Sequence, residues 1–144
     1  MANFSTKRVM SGTWGQVWLN GELVSECTAF QAKLTFNKSP VPMCGQMGQD
    51  SKVTSTNGTG SLTMNKINSR MVLTIGNLIQ QGIDVRFSVI AKLDDPDAFG
   101  AERFVYNEVS FDDLTVADWS AGQPGTVTAP FTFVSYAPID TVPI

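Results

Sequence analysis

Apolar and polar residues alternate along most of this chain. Phe30, Ala32, Leu34 and Phe36 alternate with Gln31, Lys33 and Thr35; Leu62 and Met64 alternate with Ser61, Thr63 and Asn65. Val85, Phe87, Val89, Ala91 and Leu93 are offset from Asp84, Arg86, Ser88 and Lys92, with Ile90 the one apolar exception, and Val127, Ala129, Phe131 and Phe133 form a further apolar row. A period of two predicts strands with one dry face. Between Ile67 and Gly82 the period changes: Met71, Ile75, Leu78 and Ile79, with Val72 beside them, oppose Arg70, Thr74, Asn77, Gln80 and Gln81. This predicts one amphipathic helix, about 20 Å long at ~1.5 Å per residue, whose apolar stripe needs a sheet to lie on. Asn68 or Ser69 suits its N-cap, and Gly82 suits a left-handed residue at its end.

Turn chemistry divides the remainder. Asn20-Gly21 between two apolar segments predicts a hairpin, its second arm running on towards Phe36. Residues 37–50, NKSPVPMCGQMGQD, read as a long loop in which Val41, Met43 and Met47 are unexpectedly apolar, while Gly45 and Gly48 leave the backbone free to dock on a neighbour. Asn57-Gly58 fits either a hairpin turn or a bulge in one long strand. RFVYNEVSF carries bulky residues on both faces and reads as a strand covered on both sides, and a short strand is expected at Leu114 to Ala117. Pro130 restricts the last apolar row to an edge or bulged position. Residues 1–12 lack any period and read as a mobile arm, and 137–144 is too proline-rich to continue pairing. With no internal repeat or linker, residues 1–144 form a single domain. The expected fold is mainly β with one α-helix: two packed antiparallel sheets flanked by the helix.

Composition narrows function chiefly by exclusion. The 144 residues are 42% hydrophobic but only 16% charged, with net charge −3 and no histidine. Without histidine, Ser-His-Asp and Cys-His machinery and the usual zinc sets are absent. No cluster of Lys and Arg favours gripping a phosphate backbone. No apolar leader follows MANFSTKRVM, so Cys27 and Cys44 are expected as reduced thiols in a cytoplasmic product, and no run is long enough to cross a bilayer. Asp94, Asp95 and Asp97, interrupted by Pro96, read as a solvated turn rather than a cation loop. The spacing of Glu102, Glu108, Asp112 and Asp113 does not select a paired-carboxylate hydrolase. Gly58-Thr59-Gly60 lacks the further glycine and the lysine of a phosphate loop, so it reads as a backbone feature. Trp14, Trp18 and Trp119 are too scattered for a carbohydrate platform and are expected to pack internally.

The segments SGTWGQVWLNGELV, FQAKLTFNKSPVPMCGQMGQDSKVTSTNGTGSLTMNKINSRM, GIDVRFSVIAKLDDPDAFGAERFVY and TAPFTF, in this order and spacing, resemble the core tail tube protein of contractile phage tails and phage-derived bacteriocin particles of Gram-positive bacteria. The resemblance spans roughly residues 11–136. NGTGSLTMNK and the turn leading into AERF are its most specific parts; where the family often has an aromatic before the first lysine, this chain has Asn65. The resemblance implies a structural protein rather than an enzyme, without cofactor or metal. It implies six copies to a ring, and rings stacked into a hollow tube whose inner wall is a continuous β-barrel inside a contractile sheath. Expected partners are further copies of the chain, the sheath protein and a baseplate or tube initiator. In a true phage, DNA would pass through the lumen without specific binding. The expected location is a virion tail or tail-like particle, assembled in the bacterial cytoplasm, without membrane insertion.

If the strands at 26–36 and 59–66 build that wall, Gln31, Lys33, Thr35, Ser61, Thr63 and Asn65 face the lumen, because Phe30, Leu34, Leu62 and Met64 must face the core. Val41, Met43, Gly45, Met47 and Gly48 are the expected contacts between subunits. Two other readings fit the residues: a monomeric β-sandwich or barrel that binds a ligand or glycan, and a tube protein of a related contractile secretion system.

Overall fold

The computed structural model describes residues 4–144. Its eight strands are β1 (Gly15–Leu19), β2 (Glu22–Leu23), β3 (Cys27–Val41), β4 (Asp50–Asn65), β5 (Phe87–Leu93), β6 (Glu102–Phe111), β7 (Thr126–Phe133) and β8 (Ser135–Asp140). They form one open antiparallel sheet in the order β2, β1, β5, β6, β7, β4, β3, with β8 also paired to β6. A mainly β fold with one helical stretch is what the alternation requires. The two expected layers are joined by hydrogen bonds through β6, which belongs to both.

The joint has a local cause. From Phe104 to Tyr106, β6 runs as a regular partner of β5 and β8, with Tyr106 opposite Val89 and Tyr136. Glu108 then adopts a left-handed conformation, φ 56°, beside a register shift that leaves Val109 opposite Phe87. Beyond this bulge Ser110 and Phe111 pair instead with Thr132 and Phe131 of β7. The passage from β7 to β8 bends at the same corner, where the Val134 amide donates to the Asn107 carbonyl at 3.2 Å. A bulge bends its strand and shifts side chains by one position. Tyr106 before the bulge and Phe111 after it therefore both pack against the core, at odd spacing. This explains the bulky residues on both faces of RFVYNEVSF without requiring a cover on each side.

The core lies between the layers: Val17, Leu19, Phe87, Val89 and Val109 from one, and Leu62, Met64, Val127, Ala129, Phe131 and Phe133 from the other. Asn20 and Gly21, with φ 50° and 87°, turn β1 into β2 as expected. The second arm ends at Leu23, however, and Val24–Glu26 carry the chain to the opposite layer, where β3 begins separately.

Helical residues 70–80 consist of a π-helical segment, Val72–Gly76, followed by one α-helical turn, α1 (Asn77–Gln80). Asn68 Oδ1 accepts from the Arg70 amide at 3.1 Å. At the other end Gly82, φ 78°, closes the helix with amide bonds from Gly82 to Ile79 and from Ile83 to Leu78, both 2.9 Å. Met71 and Ile75 are buried as expected, but Leu78 and Ile79 are exposed. The extra residue in the π turn rotates everything after Ile75 away from the stripe that a regular helix would have kept. Arg70 ties the helix to the β2–β3 connection: its Nε lies 2.9 Å from the buried Glu26 carboxylate, and its Nη1 3.5 Å from Glu22. Burial pushes the Glu26 carboxyl upward, but the hydrogen bond and charge of Arg70 outweigh it and hold the group below its ordinary value.

Several terminal and loop expectations change. Residues 1–3 of the expected mobile arm lie outside the described residues, while 4–14 include two 3₁₀ turns docked on the β5–β6 connection. There Asp95 is buried rather than solvated. Its carboxylate accepts from the amides of Ser11 and Asp97, both at 2.9 Å. Arg8 donates to the Asp97 carbonyl and covers the Phe99 ring. At the other terminus, residues 137–140 belong to β8, where Pro138 sits opposite Phe104 on an edge strand that tolerates it. Residues 114–117 form no strand. Trp14 and Trp119 are exposed, not packed, whereas Trp18 is half-buried.

Candidate functional site

The outer face of β3, β4 and β7 is a wall of short polar side chains. Register sets Lys33 opposite Thr59 and Gln31 opposite Ser61, while on the other side of β4 Thr59 meets Thr132, Thr63 meets Thr128 and Asn65 meets Thr126. The hydroxyls of Thr63 and Thr128 lie 3.5 Å apart. Gln31, Lys33, Thr35 and Asn65 are exposed, and Ser61 and Thr63 are partly so, while Leu62 and Met64 between them are buried. The six residues expected on one face therefore do share one. The sequence reading missed the third strand of the wall, although the alternation Thr126, Thr128, Pro130, Thr132 signals it. Pro130 sits where the contact with the β6 end finishes: its carbonyl accepts the last bond, from the Asp112 amide at 2.8 Å, and no amide is required of it in return.

Gly58 and Gly60 belong to the opposite, core face. Asn57-Gly58 is neither a hairpin turn nor a bulge: Asn57 pairs with Thr35 and Gly58 with Leu34 in unbroken register. The glycines make room for aromatic rings. A Cβ on Gly58 would lie 2.5 Å from the Phe133 ring; one on Gly60 would lie 2.2 Å from the Gln31 carbonyl oxygen and 2.6 Å from the Phe131 ring. Those rings continue into a row of aromatic contacts with Phe30, Tyr106 and Phe111 at centroid distances of 5.1–6.0 Å.

The expected loop 37–50 is shortened by strand at both ends. Lys38 to Val41 pair with Val53 to Asp50, so only residues 42–49 connect the two arms. The bulge lies at Thr54, skipped between Asn37–Ser55 and Lys38–Val53, and its hydroxyl donates to the Asn37 carbonyl at 3.2 Å. Because β7 stops opposite Gly58, the seven β3 residues from Thr35 to Val41 form a bare two-stranded ribbon reaching roughly 23 Å past the wall at ~3.3 Å per residue. Phe36, Val41, Met43, Met47 and Val53 are exposed on it. Gly45, φ 80°, lies in the turn at its tip, and Gly48 has open space around it.

β3 closes one end of the strand order, so its outer edge is unpaired. Beneath that edge opens a cleft of about 830 Å³ whose lining includes Phe30, Leu34, Phe36, Leu93, Phe104 and Tyr136. Cys27, half-buried at its margin, is a free thiol whose pKa burial pushes up; Cys44 is free and exposed. Among the described residues no group of three or more His, Cys, Asp or Glu is placed to hold a metal, and Asp94, Asp95 and Asp97 are not gathered into a site.

Comparison with known proteins decides the family. The model of the family described as phage tail tube protein matches residues 2–140. The chain belongs to the phage tail tube protein family. This tail tube protein is 32% identical over 132 residues to the phage-like element PBSX protein XkdM of Bacillus subtilis (strain 168), covering 90% of each chain. Its fold is shared with a chain in the tube-terminating cap of the anti-feeding prophage, at TM-score 0.74, 11% identity and 97% coverage of both chains. It is also shared with a chain in the sheath-tube complex of an extracellular contractile injection system, at TM-score 0.70 and 8% identity, covering 96% of this tail tube protein and 100% of that chain. Membership makes the protein a component of a phage tail or tail-like particle.

Proposed function

We propose that this tail tube protein is structural rather than catalytic, and that six copies form a ring whose stacking builds the hollow inner tube of a contractile tail or tail-like bacteriocin. The observation that carries this reading is the three-stranded wall: one face polar and nearly uncharged, the other buried, and the β3 edge unpaired. Strand addition at that edge by a neighbouring subunit extends the wall into a barrel, with Gln31, Lys33, Thr35, Ser61, Thr63 and Asn65 turned to the lumen. The same strand covers the apolar cleft. The β3–β4 ribbon reaches beyond its own ring, and Val41, Met43 and Met47 are suited to an adaptable contact with the next.

On this reading the remaining partners are a sheath outside, a baseplate complex that initiates the tube, and, in a DNA-bearing particle, DNA passing through without specific binding; structural neighbours in a baseplate and in a sheath-tube complex support the first two. Assembly takes place in the bacterial cytoplasm. The fold is equally compatible with the tube of a contractile injection system.

The test replaces residues 42–49 by a short Gly-Ser linker. The expected product is a soluble, folded subunit with parental thermal stability that forms no tubes by negative-stain microscopy. Normal polymerisation of this variant would reduce the ribbon tip to a surface connection. A parent protein that stays strictly monomeric would favour a ligand-binding module built around the cleft.

A further inference from the structure

The polar wall holds one charge. Between the Thr35–Asn57 pair and the Asn65–Thr126 pair, its outward residues are Ala29, Gln31, Lys33, Asn57, Thr59, Ser61, Thr63, Thr128, Pro130 and Thr132. None is a carboxylate, although the chain carries 13 Asp and Glu against 10 Lys and Arg. The acidic residues lie in the β1–β2 hairpin, the 84–102 region, the 108–118 stretch and the strand ends instead. Lys33 forms no ion pair among the described residues; Lys38, Lys52 and Lys66, which are likewise without one, lie outside this stretch of the wall. An acidic chain with an acid-free wall and one unpaired, exposed ammonium has a surface on which a polyanion meets no repulsion and only sparse attraction.

We propose that Lys33, repeated once per subunit around the bore, is a sliding contact for the phosphate backbone of a nucleic acid inside the tube. The proposal rests on the tube reading above. One cation per subunit among hydroxyls and amides engages a phosphate transiently. Short Thr and Ser side chains on either side offer no groove for base-edge recognition, so the contact is independent of sequence. Charges separated by more than a Debye length, about 10 Å at 0.1 M salt, act independently, so isolated lysines engage and release phosphates one at a time rather than as a clamp.

The test uses assembled tubes of the parent and of Lys33→Gln and Lys33→Arg, incubated with a short DNA duplex or with polyethylene glycol and recovered by sedimentation. With about two phosphates engaged at once, a slope of about −0.9 per phosphate gives a roughly tenfold fall in DNA retention between about 50 and 200 mM salt. Parent and Lys33→Arg tubes are expected to show that fall. Lys33→Gln tubes are expected to lose the salt-dependent part while admitting polyethylene glycol unchanged. Lys33→Gln tubes that keep the parental salt dependence would overturn the proposal, as would folded Lys33→Gln subunits that form no tubes, since the lysine would then be a contact between subunits. Tubes that retain polyglutamate but not DNA would overturn it in favour of an acidic protein cargo. Failure of the tube-wall reading shows separately: tubes of Thr63→Cys made together with Cys27→Ser and Cys44→Ser, if labelled along their length by a bulky maleimide, would have this face outside.

Discussion

Gly60→Ala tests the packing logic of the wall at its tightest point. An added Cβ would lie 2.2 Å from the Gln31 carbonyl oxygen and 2.6 Å from the Phe131 ring. The ring could turn aside, although Phe131 is almost completely buried; the carbonyl belongs to β3 and moves only if the β3–β4 ladder opens. At Gly58 the contacts within 3 Å are all with the Phe133 ring, a side chain that can tilt. Overpacking a core typically costs about 1–3 kcal/mol, and relieving a glycine in a strand returns about 0.5–1 kcal/mol. We expect Gly60→Ala to sit at the upper end, near ~2 kcal/mol net because backbone must shift, and Gly58→Ala to cost about 1 kcal/mol. At about 2–4 °C per kcal/mol for a chain of this size, Gly60→Ala lowers Tm by about 4–8 °C. Gly12→Ala, with nothing within 4 Å of the added Cβ and outside the replaced segment, serves as the control within ~0.5 kcal/mol. Urea midpoints and thermal melts of the assembly-deficient linker variant isolate the subunit's own stability. Gly60→Ala at parental stability, or Gly58→Ala costing more than Gly60→Ala, would refute the reasoning.

Two further outcomes follow from the helix. Ile75→Ala, at a buried position, is expected to cost about 2–4 kcal/mol by urea denaturation, and Ile79→Ala, at an exposed one, less than ~0.5 kcal/mol; equal costs would contradict the rotation introduced by the π turn. Arg70→Met leaves Glu26 buried without its cation and is expected to cost about 3 kcal/mol at pH 7. In the parent the Glu26 carboxyl is held below 4.5, so its contribution is present above that pH and lost as pH falls through the lower folded value; in the variant, burial alone pushes the group up, so the deficit grows as pH rises past 4.5. A deficit independent of pH would show that Arg70 acts by packing alone.

What the sequence disclosed depended on whether a signal was local. Asn20-Gly21, the alternation of β5 and the glycine that ends the helix are satisfied by their own neighbours, and each appears where expected. Pro40 and Pro138 misled for the opposite reason: a missing amide excludes proline from the middle of a sheet but not from an edge, and edge status is a property of the assembled order of strands. The bulge at Glu108 was hidden because it turns two inward faces into what looks like one strand buried on both sides. Among the wall residues, alternation sufficed to put Gln31, Lys33, Thr35, Ser61, Thr63 and Asn65 together, because one buried face fixes the other. The reach of the ribbon was not legible, since its pairing is the only thing that orders residues rich in proline, glycine and methionine.

The unpaired edge of β3 also carries a limit on its own growth. An open edge of 15 residues would ordinarily invite indiscriminate zipping into fibrils. Here its far portion is interrupted by Lys38, by the twist at Thr54 on the partner strand and by Pro40, which has no amide to offer. Only the stretch from Cys27 to about Phe36 can template a partner. The edge is therefore a ruler as much as an adhesive: a strand added there, as the proposed tube requires, is limited to about ten residues, and the same limit protects the molecule from amyloid-like stacking.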